Sequence, residues 1–137
     1  MTRRGRGVLD TSTLILLERL DLEALPDEPV ITVITLAELS VGPLATGDPQ
    51  EQAARQVRLQ ETESAFEPLP FDAPSARMFG PIAASLRRSG REPAARAFDA
   101  LIASIAMANG LDVYTCNPDD FAGIDGLTVV PVPHPDR

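Results

Sequence analysis

Short apolar runs alternate with longer amphipathic stretches along the chain, and each of the two patterns predicts one kind of element. The apolar, β-branched runs bounded by Gly, Pro or Asp predict strands at 7–10, 30–34, 67–71, 112–116 and 127–132. The amphipathic stretches predict helices at 14–25, 35–41, 51–65, 73–89 and 94–109. Strands and helices therefore alternate along most of the chain.

Such alternation is typical of an α/β domain with a mainly parallel central sheet and helices on both faces. With 137 residues and 44% hydrophobic side chains, one domain accounts for the whole chain, 1–137. Residues 1–7 form a basic N-terminal lead, and residues 131–137 are predicted to be an extended, proline-rich tail. No apolar run approaches the roughly 20 residues of a membrane span and no signal-type segment follows the basic start, so we expect a cytoplasmic protein.

The composition excludes several kinds of site. Cys116 and His134 are the only residues of their types, which excludes an internal disulfide framework and a Cys-rich zinc site. All 12 basic residues are Arg, so no lysine nucleophile is available. The net charge of −8 opposes nonspecific nucleic-acid binding over the whole surface, although it does not exclude a local site. Catalysis must therefore use carboxylates, hydroxyls or arginines.

Asp10 is predicted to lie at the carboxyl end of the first strand, the edge at which open α/β sheets bind ligands. A carboxylate in that position costs stability unless a partner compensates it. The structural alternative is an Asx-turn or an N-cap for the following helix, although Ser12 and Thr13 could also serve as caps. Asp10 on its own leaves both interpretations open.

Glu38 has an equally explicit structural alternative. The segment 35–38, Thr-Leu-Ala-Glu, has the sequence of a capping box, in which Glu38 would reach back to the amide of Thr35. The same placement also puts a carboxylate in the first turn after the second strand. If the first two strands are parallel, Glu38 lies at the same sheet edge as Asp10.

Asp99 lies in the stretch 98–106, which is otherwise almost entirely apolar. A carboxylate among such neighbours is costly unless it is paired or bound to a metal ion. A metal site is therefore one interpretation, and a structural ion pair with Arg96 is its main competitor.

Asp119 and Asp120 follow the strand predicted at 112–116, although an Asn-Pro turn explains them nearly as well. Together with the three acids above, they form an oxygen-only set suited to Mg²⁺ or Mn²⁺. Such cations activate water and neutralise phosphate charge. Hydrolysis of a phosphodiester is therefore the chemistry that the set most readily supports.

Four short motifs occur in order along almost the whole chain: VLDTS, LAEL, FDALIA and TCNPDDF, at 8–12, 36–39, 98–103 and 115–121. In this order they resemble the signature segments of PIN-domain ribonucleases, and more narrowly those of the VapC toxins. The resemblance implies a three-layer α/β/α fold and an endoribonuclease toxin that requires Mg²⁺ or Mn²⁺. It also implies a homodimer and inhibition by a cognate VapB-type antitoxin.

The motifs carry over to this chain position by position. Asp10 and Asp99 resemble the principal metal ligands of the family. Glu38 resembles a third acid that binds metal or orients water, and Ser12 resembles a hydroxyl that supports the ligands.

The fourth acid is less sharply defined by the motifs. Asp120, directly before Phe121, resembles it. Some relatives carry an acid where this chain has Asn117, so Asn117 and Asp119 remain alternatives for completing the site. A second metal ion is correspondingly doubtful.

Four arginines precede Asp99 and form the densest basic stretch of the chain: Arg87, Arg88, Arg91 and Arg96. A solvated helix end is the structural alternative, because cations near a helix C-terminus are favourable. An acidic protein that binds RNA nevertheless needs positive charge near its site. We therefore expect some of these arginines to contact RNA phosphates.

Three other functions compete with this interpretation. A haloacid-dehalogenase-type phosphohydrolase would need a second Asp at position 12 and a Lys, and a receiver-like domain would need a late Lys, whereas the chain has neither. A catalytically degenerate PIN domain that only binds partners stays open, because the fourth acid is ambiguous.

Overall fold

Strands and helices alternate in the computed structural model, which describes residues 5–137. The strands are β1 (Arg6–Leu9), β2 (Glu28–Val30), β3 (Asp112–Thr115) and β4 (Val129–Pro131). The α-helices are α1 (Thr11–Ile15), α2 (Val33–Val41), α3 (Pro49–Ala65), α4 (Ala73–Arg88) and α5 (Ala97–Ala108). Short 3₁₀ turns lie at Leu17–Arg19, Leu22–Ala24, Gly42–Ala45, Ala94–Arg96 and Pro118–Phe121.

The strands of the described region form one parallel sheet in the order β2-β1-β3-β4. The two central strands, β1 and β3, pair from Gly7 with Asp112 to Leu9 with Tyr114. Their carboxyl ends therefore lie side by side at one edge of the sheet. The α/β fold with a parallel central sheet that the sequence predicts is confirmed.

Helices cover both faces of the sheet, and each face has its own apolar cluster. Successive residues of β1 point to opposite faces, so that Val8 enters one cluster and Leu9 the other. Ile82 of α4 and Ile102 of α5 pack with Val8. Side chains of α1, α2 and α3 surround Leu9 on the opposite face. The domain therefore has the three layers that the motifs implied.

The first helix is much shorter than its sequence pattern predicts. α1 ends at Ile15, and the backbone then continues in two 3₁₀ turns with shorter-range hydrogen bonds. In a continuous α-helix, Leu20 would lie about 120° around the axis from Leu14, at about 100° per residue. In the structure Leu14, Leu20 and Leu25 all enter one cluster. The need to bury all three leucines overrides the helical pattern.

The second strand ends, and the second helix begins, earlier than predicted. β2 stops at Val30, and Thr32 is already the N-cap of α2, which starts at Val33 instead of Thr35. The β-branched run that predicted a strand to residue 34 therefore supplies the first turn of a helix. Tertiary packing outweighs β-propensity here.

The strand predicted at 67–71 is reduced to a single bridge between Leu69 and Thr32. Leu69 makes two backbone hydrogen bonds to the segment between β2 and α2. Pro68 and Pro70 flank it and have no N–H to donate. The ladder therefore cannot extend in either direction.

The two ends of the chain are partly integrated into the fold. Arg6 and Gly7, which the sequence placed in the basic lead, belong to β1, while residues 1–4 lie outside the described residues. In the tail, Pro131 ends β4 and Val132 is buried. Within residues 5–137, none of the helices combines the length and apolarity that crossing a membrane requires.

Replacing Gly7 by Ala tests the close packing between the two central strands. A Cβ at position 7 would lie 2.4 Å from Cε1 of Tyr114, whose ring is itself buried. We expect the Gly7→Ala variant to lose about 1–3 kcal/mol of unfolding free energy through overpacking. Urea denaturation followed by circular dichroism measures the loss.

Gly47→Ala is the matched control, because nothing lies within 4 Å of a Cβ at that exposed position. The expected change is within about 0.5 kcal/mol. Equal stabilities of the two variants would contradict the packing described for Gly7.

Candidate active site

The predicted site residues come from four segments that meet around the carboxyl edge of the sheet. Asp10 directly follows β1, and the 3₁₀ turn Pro118–Phe121 follows the neighbouring strand β3. Glu38 lies on α2, and Asp99 lies in the first turn of α5. The parallel topology is what brings these distant parts of the sequence together.

Asp10 is the most deeply buried of these carboxylates, with 2% of its surface exposed. Its Oδ2 accepts hydrogen bonds from the hydroxyls of Ser12 at 3.1 Å and Thr115 at 3.0 Å. Its Oδ1 is buried and has no hydrogen-bond partner. Burial raises the pKa of Asp10, against the lowering effect of the nearby hydroxyls, that of Thr13 among them.

The capping alternative for Asp10 is not what the structure shows. Asp10 occupies the N-cap position of α1, but its side chain makes no capping hydrogen bond. Its carboxylate is instead held by hydroxyls from α1 and β3. A buried carboxylate with one unpartnered oxygen is costly for a purely structural residue.

Ser12 and Asn117 extend the network away from Asp10. Nδ2 of Asn117 donates to Oγ of Ser12 at 3.0 Å, and Ser12 donates onward to Asp10. Oδ1 of Asn117 accepts from Nη1 of Arg137 at 3.2 Å. Asn117 therefore supports the site through Ser12.

Glu38 is not part of a capping box. Thr32, not Thr35, is the N-cap of α2, so Glu38 lies a full turn beyond the position that the motif requires. Oε1 of Glu38 instead accepts a 2.7 Å hydrogen bond from the hydroxyl of Thr11. That hydroxyl lies 3.0 Å from the hydroxyl of buried Thr35. Since Thr11 gives its proton to Glu38, Thr35 donates to Thr11.

Asp99 has the most strongly shifted pKa among the carboxylates of the site. Burial raises its pKa most, followed by the negative charges of Asp120, Asp10 and Glu38, and Arg96 lowers it, with the result at about 7. The three acids that raise this pKa are those that the motifs selected. The structure therefore brings Asp10, Glu38 and Asp120 within electrostatic reach of Asp99.

Arg96 forms its ion pair with Asp120. The competing interpretation required an ion pair between Arg96 and Asp99, which the structure does not show. Nη1 of Arg96 lies 3.2 Å from Oδ1 of Asp120. Asp120 is also the acid whose charge raises the pKa of Asp99 most. The neighbouring Asp119 is exposed and is not among the main causes of that pKa shift. These observations favour Asp120 as the fourth acid.

The donor set has the chemistry of a site for a hard divalent cation, although it is not a formed cage. Four carboxylates, together with hydroxyl and amide oxygens, match the ligand preference of Mg²⁺ and Mn²⁺. The unpartnered Oδ1 of Asp10 supplies a lone pair that the protein itself does not satisfy. Among residues 5–137, however, no three His, Cys, Asp or Glu side chains are already arranged as a metal site.

The remaining arginines of the basic stretch lie along the end of α4 and after it. Arg88 pairs with Asp125 at 2.9 Å, and the side chain of Arg91 lies against Gly123. Arg87 is exposed on the last turn of α4. Of the four predicted arginines, Arg96 is the one that contacts a site carboxylate in the described structure.

Sequence reasoning missed the threonines of the site. Thr11 binds Glu38, and Thr115, at the end of β3, binds Asp10. Both hydroxyls lie at strand ends within motifs that contain a predicted acid, and that position was the available signal. Their partners depend on side-chain orientation across the sheet, which no sequence spacing specifies.

Comparison with known proteins shows the family to which the chain belongs. The family model of the PIN domain matches residues 8–127. Ribonuclease VapC5 of Mycobacterium tuberculosis (strain ATCC 25618 / H37Rv) is 40% identical over 134 residues, which are 96% of this chain and 96% of that protein. The chain is a PIN domain of the VapC type. Ribonuclease VapC4 of the same organism is 29% identical over 132 residues, 93% of this chain and 97% of its own.

Solved structures extend the likeness of this PIN domain to three dimensions. A crystal structure of VapBC-5, a toxin-antitoxin system of Mycobacterium tuberculosis, contains a chain with a TM-score of 0.82 and 39% identity, covering 93% of this chain and 99% of that one. VapBC2 from Rickettsia felis, bound to a DNA fragment from its promoter, gives a TM-score of 0.73 at 25% identity. The match covers 90% of this chain and 96% of that one.

The pH dependence of stability tests the environment of Asp99. Its pKa of about 7 in the folded protein exceeds the ordinary value of 3.8, so the folded state binds more protons between these values. In the metal-free protein, the contribution of Asp99 to the unfolding free energy must therefore fall as the pH rises from about 4 to about 7. Asp99→Asn should flatten this fall in urea denaturation with a chelator present.

Asp72→Asn is the control with the opposite sign. Hydrogen bonds from Ser75 lower the pKa of Asp72, so its contribution to stability is present at neutral pH and is lost on acidification. This variant should lower stability at neutral pH and leave the fall between pH 4 and 7 in place. A fall that Asp99→Asn does not reduce would contradict the environment assigned to Asp99.

Proposed function

We propose that this PIN domain is a metal-dependent endoribonuclease toxin that hydrolyses RNA phosphodiester bonds. The observation that carries the proposal is the placement of Asp10, Glu38 and Asp120 around Asp99 at the carboxyl edge of the sheet. The relation to proteins named as ribonucleases VapC5 and VapC4 supports the choice of RNA as substrate.

Mg²⁺ or Mn²⁺ is the proposed cofactor, with Asp10 and Asp99 as principal ligands and Glu38 and Asp120 as further acids. When bound, such a cation supplies an activated water and neutralises phosphate charge. Burial of Asp10 and its bonds from two hydroxyls fix the orientation of that carboxylate before any ligand binds. The pKa of Asp99 near 7 makes its ionisation sensitive to a nearby cation.

The residues around these acids have supporting roles in the proposal. Thr11 orients the carboxylate of Glu38, and Ser12 orients that of Asp10. Asn117 holds Ser12, and exposed Asp119 lies at the rim of the site. The chain thus supplies ligands and orienting groups, and it has no lysine that could act as a base.

Arginines beside the carboxylates would hold the RNA backbone. Arg96 reaches the site directly through Asp120, and Arg87, Arg88 and Arg91 extend the positive charge toward the end of α4. Phosphate contacts of this kind fix the position of the RNA strand without reading its sequence.

Partners of this PIN domain follow from the same relation. We propose that a VapB-type antitoxin neutralises it, because the solved relatives named above are VapBC toxin-antitoxin proteins. We also propose that it acts as a homodimer in the cytoplasm. Leu22, Val41 and Leu44 are exposed apolar side chains that a protein partner would cover.

Incubation of the purified, antitoxin-free protein with total bacterial RNA tests the activity. In Mg²⁺ or Mn²⁺ we expect discrete cuts that leave 5′-phosphate and 3′-hydroxyl ends, mapped by sequencing, and no cuts in EDTA. Loss of a group that merely orients a metal ligand costs about 10–100-fold, so loss of the ligand itself in Asp10→Asn should cost more than about 100-fold.

Asp112→Asn is the matched control, because Asp112 begins β3 at the opposite end of the strand from the site. It should retain wild-type activity, and both variants should keep the wild-type circular dichroism spectrum. Substantial cutting by well-folded Asp10→Asn would contradict the assigned site. Metal binding by the folded wild type without any RNA cutting would instead identify a degenerate binding module.

A further inference from the structure

A cleft of about 480 Å³ opens from the carboxylate site along the side of α3. Its lining includes Thr11 and Glu38, which belong to the site, and Arg55 and Arg58 of α3, which form one wall. A second cleft of about 370 Å³ continues past Arg58 over the apolar surface between α1 and α3. Arg58 therefore lies at the junction of the two clefts.

Arg55 and Arg58 differ in the hydrogen bonds and ion pairs that their guanidinium groups form. Arg55 donates from Nε to Glu51 at 2.9 Å and from Nη1 to the backbone oxygen of Gly42 at 2.9 Å. The bond to Gly42 attaches α3 to the turn after α2 and so fixes the cleft wall, whereas the bond to Glu51 lies within α3. Arg55 is thereby a structural residue.

Arg58, one turn further along the same helix, has no ion pair or side-chain hydrogen bond within the described part of the chain. It is nevertheless partly buried, and the acids that line the two clefts with it, Glu18, Glu38, Glu51 and Glu61, form no ion pair with it. A partly desolvated guanidinium without an anion is unfavourable. The arrangement suits an anionic group that is supplied from outside the chain.

We propose that Arg58 binds a backbone phosphate of the RNA beside the cleaved phosphodiester. This inference rests on the proposed ribonuclease function. A strand held at Glu38 must leave the site along an adjoining surface, and the cleft leads from Glu38 directly to Arg58. A guanidinium offers two parallel N–H donors that match the oxygens of a phosphate. Arg58 is thus a substrate-positioning residue outside the carboxylate cluster.

Steady-state cleavage of an RNA fragment identified in the assay above tests the role of Arg58. For Arg58→Gln we expect KM to rise about tenfold while kcat stays within about twofold. The variant loses a charge-assisted hydrogen bond to the bound substrate, but it keeps every group that contacts the reacting atoms. Arg58→Lys should recover part of the loss, since it restores the charge but not the paired donors.

The salt dependence of binding gives a readout that a merely structural role would not change. Fluorescence anisotropy with the same labelled RNA, in an Asp10→Asn background that prevents turnover, measures Kd across salt concentrations. Arg58→Gln should reduce the slope of log Kd against log salt by about 0.7, the value for one phosphate contact on a single strand. Arg58→Lys should keep the wild-type slope.

Arg77→Gln is the matched control, because it removes the same charge from an exposed position on α4, a helix on the opposite face of the sheet. It should leave KM, Kd and the salt slope unchanged. If the wild type cuts RNA but Arg58→Gln matches it in KM and salt slope, the inference about Arg58 is wrong and the clefts serve a protein partner. If no variant cuts or binds RNA, the proposed function itself fails.

Discussion

The burial of the Asp10 carboxylate at the end of β1 is the constraint on which the rest of the site depends. Parallel pairing of β1 with β3 puts Thr115 beside Asp10 and places the segment from Asn117 to Asp120 at the same edge. Only one oxygen of the carboxylate has hydrogen-bond partners: Oδ2 accepts from two hydroxyls, whereas Oδ1 has no partner. The fold therefore holds a charge in a place where only an added ligand can complete its environment.

This constraint links the stability of the domain to its chemistry. Burial, together with the negative charges around Asp99, raises its pKa to about 7, so the charged form of Asp99 opposes folding as the pH rises through neutrality. A divalent cation would remove that repulsion, because it offsets the same charges that destabilise the protein alone. The arginines at the rim, Arg96 and Arg58, lie where the phosphate charge of RNA would need them.

The sequence predicted the sheet and its two layers of helices, because strand ends and helix starts are marked by local residue types. The same marks selected Asp10, Glu38 and Asp99 as site candidates and left the fourth acid open. The prediction failed where tertiary packing between distant parts of the chain determines the backbone conformation or a hydrogen-bond partner. The apolar run after Thr13 predicts one helix, yet burial of Leu20 and Leu25 breaks it into short turns. The capping-box sequence ending at Glu38 is not used, because α2 begins before it. Hydroxyl partners such as Thr115 follow from orientations that only the assembled sheet defines.

Metal binding measured as a change in stability is the most direct test of this account. Urea denaturation of the protein at about pH 8, where Asp99 is charged, should show stabilisation by Mn²⁺ of about 2.7 kcal/mol at about 100 times Kd, and no stabilisation of Asp10→Asn. The account predicts this gain because the cation relieves carboxylate repulsion in the folded state alone. An unfolding free energy that millimolar Mn²⁺ leaves unchanged in the wild type would contradict it.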